Sequence, residues 1–167
     1  IKHNGPILNR TKFDKILGRN FFKNKINFNQ SPSLEAQIAS ISDDIAYNSH
    51  DLEDGLNAKL FTLKDISKIP ILNSLIKKHK TKITKHSQEL VLRQIIREII
   101  NEMVKDVILN TNNNLKKNCV KNIKDVYKSR YPLVSFSNKM KEFDKSVKNF
   151  LKENMHYHKN VIHKTNL

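Results

Sequence analysis

The sequence predicts an all-α protein, an irregular array of helices. Only three glycines and four prolines occur among 167 residues, so few positions would interrupt a helix. Long stretches also repeat apolar residues at the three- and four-residue spacing that places them on one helix face. A chain of this length can bury one hydrophobic core. We therefore expect residues 1–167 to form a single all-α region, with a mobile polar tail over 158–167.

Periodicity, caps and helix breakers predict where each helix lies. The first strong helix is predicted over about 33–58, with Ser33 as its N-cap. A short helix over 62–68 opens on Thr62 with Asp65 at its third position, a weak capping box, and Ile69-Pro70 ends it. Further helices are predicted over 71–79, 84–111, 114–127 (weakly) and 138–155, the last with Ser137 as its cap. The asparagines at 112–114 predict a break or a frayed helix end, and residues 130–133 are predicted to be extended.

The helix over 33–58 carries the most chemical information. At about 100° per residue, one stripe holds Asp43, Tyr47, His50 and Asp54, with Asp51 at its edge. The opposite face is apolar and consists of Ile38, Ile41, Ile45, Leu52 and Leu56. The acidic stripe has no lysine, and crowded like charges cost stability unless a cation or partner offsets them. A cation or phosphate site and a merely solvated face both remain open on this pattern.

The net charge of the chain is +15, from 31 Lys and Arg against 16 Asp and Glu. A polyanion partner such as nucleic acid or a nucleoside triphosphate would explain it. The lysines are spread along the whole sequence, however, so we favour a compositional bias and keep nucleic-acid binding as the minority alternative. The single cysteine, Cys119, excludes an intramolecular disulfide and a cysteine-based zinc cluster. No stretch approaches the ~20 apolar residues that cross a bilayer, so we expect a cytoplasmic protein without membrane contact.

Three weaker constellations lie outside the acidic helix. The histidines at 156, 158 and 163 are poor metal candidates, because residues two apart on a helix point in different directions. His79 and His86 would share a helix face, either as a phosphate-contacting patch or, as we favour, as a solvated surface. The set Glu89, Arg93 and Arg97 is either a surface ion pair or a triphosphate clamp. No P-loop, nucleophile-elbow or His-Glu-x-x-His motif occurs in the sequence.

Several segments together carry a resemblance to a known family. They are Lys-His-Asn-Gly-Pro at 2–6, the acidic helix over 34–38 and 43–55, and the stretches 96–107, 130–137 and 150–155. In this order they resemble bacterial deoxyguanosine triphosphate triphosphohydrolase-like proteins of the HD-domain dNTP triphosphohydrolase superfamily. The resemblance runs over nearly the whole chain. It implies an all-α HD-type fold and hydrolysis of dGTP to deoxyguanosine and triphosphate.

The resemblance also implies roles for individual residues. A divalent metal, Mg²⁺ or Mn²⁺, is held in the family by a His … His-Asp … Asp pattern, whose last Asp matches Asp43. Tyr47 matches the tyrosine that contacts the triphosphate, and Asp51 matches the residue that recognises the sugar 3′-hydroxyl. His50, Asp54 and Arg97 are further candidates for the pocket. Hard oxygen ligands beside imidazole suit a metal that polarises phosphate.

The chain departs from the family in its metal ligands. The first His and the His-Asp pair are expected upstream of Lys2, so we expect a C-terminal portion of the fold that binds metal weakly and is inactive alone. The family implies a homo-oligomer for the full-length protein. The alternative hypothesis is a catalytically inactive remnant, or a basic helical module that binds nucleic acid or partner subunits.

Overall fold

A computed structural model, which describes Lys15, residues 30–79 and residues 88–156, confirms the all-α prediction. Within these ranges every regular element is helical, and no strand occurs. No helix among the described residues is long and apolar enough to cross a membrane. The helices are α1 (Leu34–Asn57), α2 (Leu63–Ile66), α3 (Pro70–His79), α4 (Gln88–Lys117), α5 (Ile123–Lys128) and α6 (Asn138–Leu151), followed by a π-helical turn over Lys152–His156.

The predicted helix starts are confirmed by their caps. Ser33 Oγ accepts a hydrogen bond from the Ala36 amide at 3.3 Å, so it caps α1. Thr62 and Asp65 form the predicted capping box of α2, in which each side chain accepts from the other residue's backbone. Ser137 caps α6 by accepting from the Met140 amide. These local signals require only residues within one helical turn, which explains why the sequence alone predicts them.

The described chain forms two compact units. Among the described residues, one unit comprises 30–42 and 108–135, and the other comprises 43–79, 88–107 and 136–156. Helices α1 and α4 contribute residues to both. The prediction of one all-α region over the whole chain stays a prediction, and the tail over 158–167 lies outside the described residues.

The first unit is organised by the buried side chain of Gln37. Its Oε1 accepts hydrogen bonds from the Leu133 amide at 2.8 Å and the Val134 amide at 3.1 Å. Its Nε2 donates to the Pro32 carbonyl at 2.9 Å. Leu133 and Val134 are themselves buried, so their amides form hydrogen bonds with Gln37 in place of water. One polar side chain thus holds an irregular segment against α1.

The predicted break or frayed end at asparagines 112–114 is wrong, because α4 continues through these residues to Lys117. Two asparagine side chains of α4 form hydrogen bonds with residues outside the helix. Asn110 Nδ2 donates to the Ser135 carbonyl at 2.7 Å, and Asn114 Nδ2 donates to the Leu133 carbonyl at 2.9 Å. An asparagine that bonds outside its own backbone no longer competes with the helix, so its usual preference for turns is overridden.

Helix α4 ends in a Schellman motif. The Val120 amide bonds the Leu115 carbonyl at 3.0 Å, and the Cys119 amide bonds the Lys116 carbonyl at 3.1 Å. Cys119 adopts a φ of 50°, the left-handed conformation that this motif requires. The motif separates α4 from α5, so the weakly helical segment predicted over 114–127 divides at this point.

The second unit contains most of the hydrophobic core. Ile95, Ile99 and Leu52 are almost completely buried, as the periodicity predicts. The Phe61 ring meets Phe150 edge to face, with centroids 4.9 Å apart. A Cβ on Gly55 would overlap the Phe61 ring, so glycine is required here for close packing. The other buried apolar residues of this unit are Ile45, Phe61, Ile66, Ile69, Leu72, Val91, Leu92, Ile96, Met103, Val107, Phe136, Met140, Phe143, Val147 and Leu151.

Two expectations about exposed and buried positions are wrong. Ile38 was placed on the apolar face of α1, yet half of it is exposed. His79 was expected on a solvated surface, yet it is buried, with Nε2 2.9 Å from Glu98 Oε1. The carboxylate can only accept, so this nitrogen is the donor. His86, its proposed partner, lies outside the described residues.

The Glu98 carboxylate accepts hydrogen bonds from three side chains on two helices. Gln94 Nε2 lies 3.0 Å from Oε1, the Lys78 ammonium lies 2.9 Å from Oε2, and His79 is the third donor. The hydrogen bonds from Gln94 and Lys78 lower the pKa of Glu98 to about 2, against the opposing effect of burial. The carboxylate therefore links the end of α3 to α4 in its charged form.

Replacement of Gln37 by leucine should destabilise the protein by about 3 kcal/mol, because two buried amides and one carbonyl lose their partner. Chemical denaturation monitored by circular dichroism measures the free energy of unfolding. Gln30→Leu, at an exposed position nearby, is the control and should change it by less than about 0.5 kcal/mol. Equal effects of the two substitutions would contradict the role given to Gln37.

Acidification should remove stabilisation that depends on Glu98. Its pKa is lower in the folded state than the reference value of 4.5. The stabilisation is therefore complete above about pH 4.5 and is lost as the pH falls towards about 2. Urea denaturation across this range should show a steeper loss for the wild type than for Glu98→Gln, by on the order of 1 kcal/mol. If the free energy of unfolding falls equally with pH in both proteins, Glu98 does not cause the loss of stability.

Candidate functional site

The stripe predicted on α1 is present as an exposed surface. Asp43, His50 and Asp54 are exposed, and Tyr47 has 63% of its surface accessible. Asp51, at the edge of the stripe, is half-buried and interacts with a further group. At 1.5 Å per residue, the stripe from Asp43 to Asp54 extends about 16 Å along the helix. The described residues thus present four polar side chains in a row on one rigid element.

The opposite face of this part of α1 is anchored by both apolar and polar side chains. Ile45 and Leu52 are buried, as predicted, and so are Asn48 and Ser49 between them. Asn48 Nδ2 donates to Asp144 Oδ1 of α6 at 2.9 Å. This bond fixes the rotation of the helix about its axis, because a buried amide would otherwise lack a partner. The exposed stripe is held outward as a consequence.

Lys148 of α6 lies between two carboxylates. Its ammonium is 2.9 Å from Asp144 Oδ2 and 3.4 Å from Asp44 Oδ2. Burial lowers the pKa of Lys148, but the hydrogen bond and charge of Asp144, followed by the charge of Asp44, raise it overall. Lys148 is therefore protonated at neutral pH, and it offsets acidic charge beside the stripe. Asp43, the adjacent residue, points to another side of the helix.

Arginine and glutamate form a second charged cluster. Arg93 contacts Glu89 at 2.7 Å and Glu53 of α1 at 3.7 Å. The predicted ion pair between Glu89 and Arg93 is thereby confirmed, and Arg93 also pairs with Glu53 on α1. Arg97 is exposed on α4, and the triphosphate-clamp interpretation of this set stays a prediction.

The described residues do not form a complete metal site. Over 30–79 and 88–156, no three His, Cys, Asp or Glu side chains are grouped closely enough to hold a metal ion. The exposed Asp43 carboxylate can supply one hard oxygen ligand, which is too few for a divalent cation in a protein. The assignments of Asp43, Tyr47 and Asp51 therefore stay predictions. The side chains of His156, His158 and His163 lie outside the described set.

Sequence reasoning missed the side chains that position the stripe. Asn48 and Asp144 are 96 residues apart in the chain, and no local pattern connects them. The one available signal is that Asn48 falls on the otherwise apolar side of the helical wheel, where a polar residue needs a partner. A small cavity of about 10 Å³ is lined by Asn48, Met103 and Phe143, so α1, α4 and α6 meet on this side.

The protein is thus an all-α chain in which helix α1 presents a stripe of acidic and aromatic side chains. No protein-family model matches the chain. Curated relatives, in contrast, align with almost all of it. A deoxyguanosinetriphosphate triphosphohydrolase-like protein of Pelagibacter ubique is 48% identical over 166 residues, which are 99% of this chain and 45% of the relative.

Two proteins of the same name from Bartonella support this relationship. The protein of Bartonella quintana is 37% identical and that of Bartonella tribocorum 33% identical, each over 176 aligned residues. Each alignment covers 99% of this chain and 42% of the relative. The chain is therefore homologous to a portion of the deoxyguanosinetriphosphate triphosphohydrolase-like proteins. It spans slightly less than half the length of the curated relatives it matches.

Replacement of Asp144 by alanine should destabilise the protein by about 1–3 kcal/mol, because buried Asn48 loses its acceptor and protonated Lys148 loses the nearer of its two carboxylates. Thermal and urea denaturation measure this loss. The matched control is Asp44→Ala, which removes only an exposed partner of Lys148 and should cost less than about 1 kcal/mol. If Asp44→Ala is the more destabilising substitution, the anchoring role of Asp144 is wrong.

Proposed function

We propose that this chain forms part of the substrate pocket of a dNTP triphosphohydrolase, which converts dGTP and water to deoxyguanosine and triphosphate. The single observation that carries the proposal is the 48% identity over 99% of the chain to a protein named for this activity. The exposed stripe of α1 supports it, because carboxylate, phenol and imidazole groups are placed on one rigid face. These groups can bind cations and donate to phosphate.

The proposed roles follow the helix turn by turn. Asp43 supplies a carboxylate oxygen to a divalent metal ion, Mg²⁺ or Mn²⁺, for which oxygen ligands are suited. Tyr47, one turn later, donates its phenolic hydroxyl to the triphosphate. Asp51, a further turn along, accepts a hydrogen bond from the 3′-hydroxyl of the deoxyribose. His50, Asp54 and Arg97 are further pocket residues.

One carboxylate does not complete this site. The proposal therefore requires a His and a His-Asp pair from residues beyond those of this chain, which would be the C-terminal portion of an HD-type enzyme. Metal binding by one carboxylate is weak, because several ligands must converge on one ion. The complete protein would be a homo-oligomer, as the resemblance implies.

Purified 1–167 should release no triphosphate from dGTP in the presence of Mg²⁺ or Mn²⁺. Phosphorus NMR of the reaction mixture measures the product directly. Turnover that Asp43→Ala abolishes would contradict the proposal that ligands are missing. Binding of Mn²⁺ to the same samples, followed by electron paramagnetic resonance, should be weak and should weaken further in Asp43→Ala.

A chimera tests the role of Asp43 in a complete site. This chain replaces the matching segment of the Pelagibacter ubique protein. Hydrolysis of dGTP is then measured for the parent chimera and for its Asp43→Ala and Asp44→Ala variants. Asp43→Ala should lower kcat by more than about 100-fold, because it removes a metal ligand. Asp44→Ala alters the adjacent carboxylate, which faces Lys148, and should retain most activity. An active Asp43→Ala chimera would show that the metal assignment is wrong, and an inactive but folded parent chimera would contradict the proposed function.

A further inference from the structure

The described part of the first unit exposes more large apolar side chains than it buries. Its buried apolar side chains are Val126, Leu133 and Val134. Its exposed large apolar side chains are Ile38, Ile108, Leu109, Ile123 and Tyr131. The second unit has the opposite balance, because its described residues expose only Tyr47, Leu90 and Val104 against the long list of buried residues given above. Apolar surface is thus available to a partner mainly in the first unit.

Helix α4 carries several of these side chains on one side within the first unit. Ile108 has 55% of its surface exposed, and Leu109 has 65%. At about 100° per residue, Leu115 lies within about 20° of Ile108 on the helical wheel, and Thr111 within about 60°. Leu115 and Thr111 are both half-buried. We call Ile108, Leu109, Thr111 and Leu115 the α4 ridge, which extends about 10 Å along the helix. Contiguous exposed apolar surface of this kind marks an interaction site.

Hydrogen bonds on another side of α4 hold the ridge toward solvent. Asn110 and Asn114 lie more than about 100° from Ile108 on the helical wheel. Their side-chain amides donate to the carbonyls of Ser135 and Leu133 at 2.7 and 2.9 Å. A rotation of α4 that buried Ile108 would break both of these partly buried bonds, which is unfavourable. The exposure of the α4 ridge is therefore fixed by the packing of the first unit.

The curated relatives contain much more polypeptide than the portion that aligns with this chain. The aligned portion is 45% of the Pelagibacter ubique protein and 42% of each of the two Bartonella proteins. More than half of each relative is therefore available to cover surfaces of the aligned portion. A larger protein buries a greater fraction of its surface than a smaller one, and burial of apolar surface drives this packing. An apolar ridge is the kind of surface that additional chain would cover.

We propose that the α4 ridge is an interface for this additional polypeptide, whose apolar side chains pack on Ile108, Leu109 and Leu115. A second copy of this chain fits the ridge less well, because a symmetric dimer would place the same surface against itself. Residues 108–135 carry six lysine or arginine residues against one carboxylate, Asp125, so two such surfaces repel each other. This inference does not rest on the proposed function, because it requires neither a metal nor a nucleotide.

The accessibility of a thiol on the ridge tests the inference. Ile108→Cys, in a background where exposed Cys119 is replaced by serine, is labelled with a maleimide in chain 1–167 and in the Pelagibacter ubique chimera. Peptide mass spectrometry identifies the labelled site. Labelling should be about 100-fold slower in the chimera, because a covered thiol reacts only after local opening. The matched control is Asn113→Cys, exposed on another side of α4, which should react equally fast in both proteins.

Thermal stability gives a second measurement. Ile108→Gln should lower the Tm of the chimera by about 5 °C or more, whereas the Tm of chain 1–167 should fall by less than about 2 °C. Glutamine is a good helix former, so the difference reports the lost apolar contact and not a weaker helix. Neither measurement requires turnover, so an inactive chimera contradicts the proposed function and leaves both readouts intact. If the chimera does not fold, the intact Pelagibacter ubique protein with cysteines at the two aligned positions replaces it.

Three results would overturn the inference. Fast labelling of Ile108→Cys in both chain 1–167 and the chimera would show that the ridge stays open to water. Slow labelling of chain 1–167 at every protein concentration would assign the cover to another part of the same chain. Slow labelling of chain 1–167 that becomes fast on dilution would assign the ridge to a second copy of this chain.

Discussion

Hydrogen bonds from the buried face of α1 are the constraint on which the arrangement of the exposed face depends. Gln37 satisfies three backbone groups in the first unit, and Asn48 meets Asp144 in the second. A buried amide that loses its partner costs about 1–3 kcal/mol, so Gln37 and Asn48 each fix the rotation of α1 within their own unit. The stripe from Asp43 to Asp54 faces solvent for that reason.

Electrostatic compensation divides the acidic groups of α1 into two kinds. Asp44 and Glu53 face cations, Lys148 and Arg93, on the flanks of the helix. Asp43 and Tyr47 occupy the exposed stripe between such contacts. Ion pairs of partly exposed groups contribute little stability, usually below about 1 kcal/mol, and their effect here is mainly to define the local charge. The proposed metal ligand is thus distinguished from its neighbours by position, although all of them are carboxylates.

Charge is distributed unevenly between the described segments. The stripe on α1 is acidic, whereas residues 116–130 carry six cations and one carboxylate. The proposed function uses the first surface for a metal and triphosphate pocket. It assigns no role to the second.

The sequence by itself determined the helical class, the position of α1, the caps at Ser33, Thr62 and Ser137, and most of the apolar core. Each depends on spacing within one or two helical turns, which the chain encodes locally. Tertiary structure alone decided that Asn114 of α4 stays helical, that His79 is buried against Glu98 and that Asn48 anchors α1. Those outcomes depend on partners 19 to 96 residues away. A long-range hydrogen bond outweighs a local preference of a few tenths of a kcal/mol, and no local pattern reveals it.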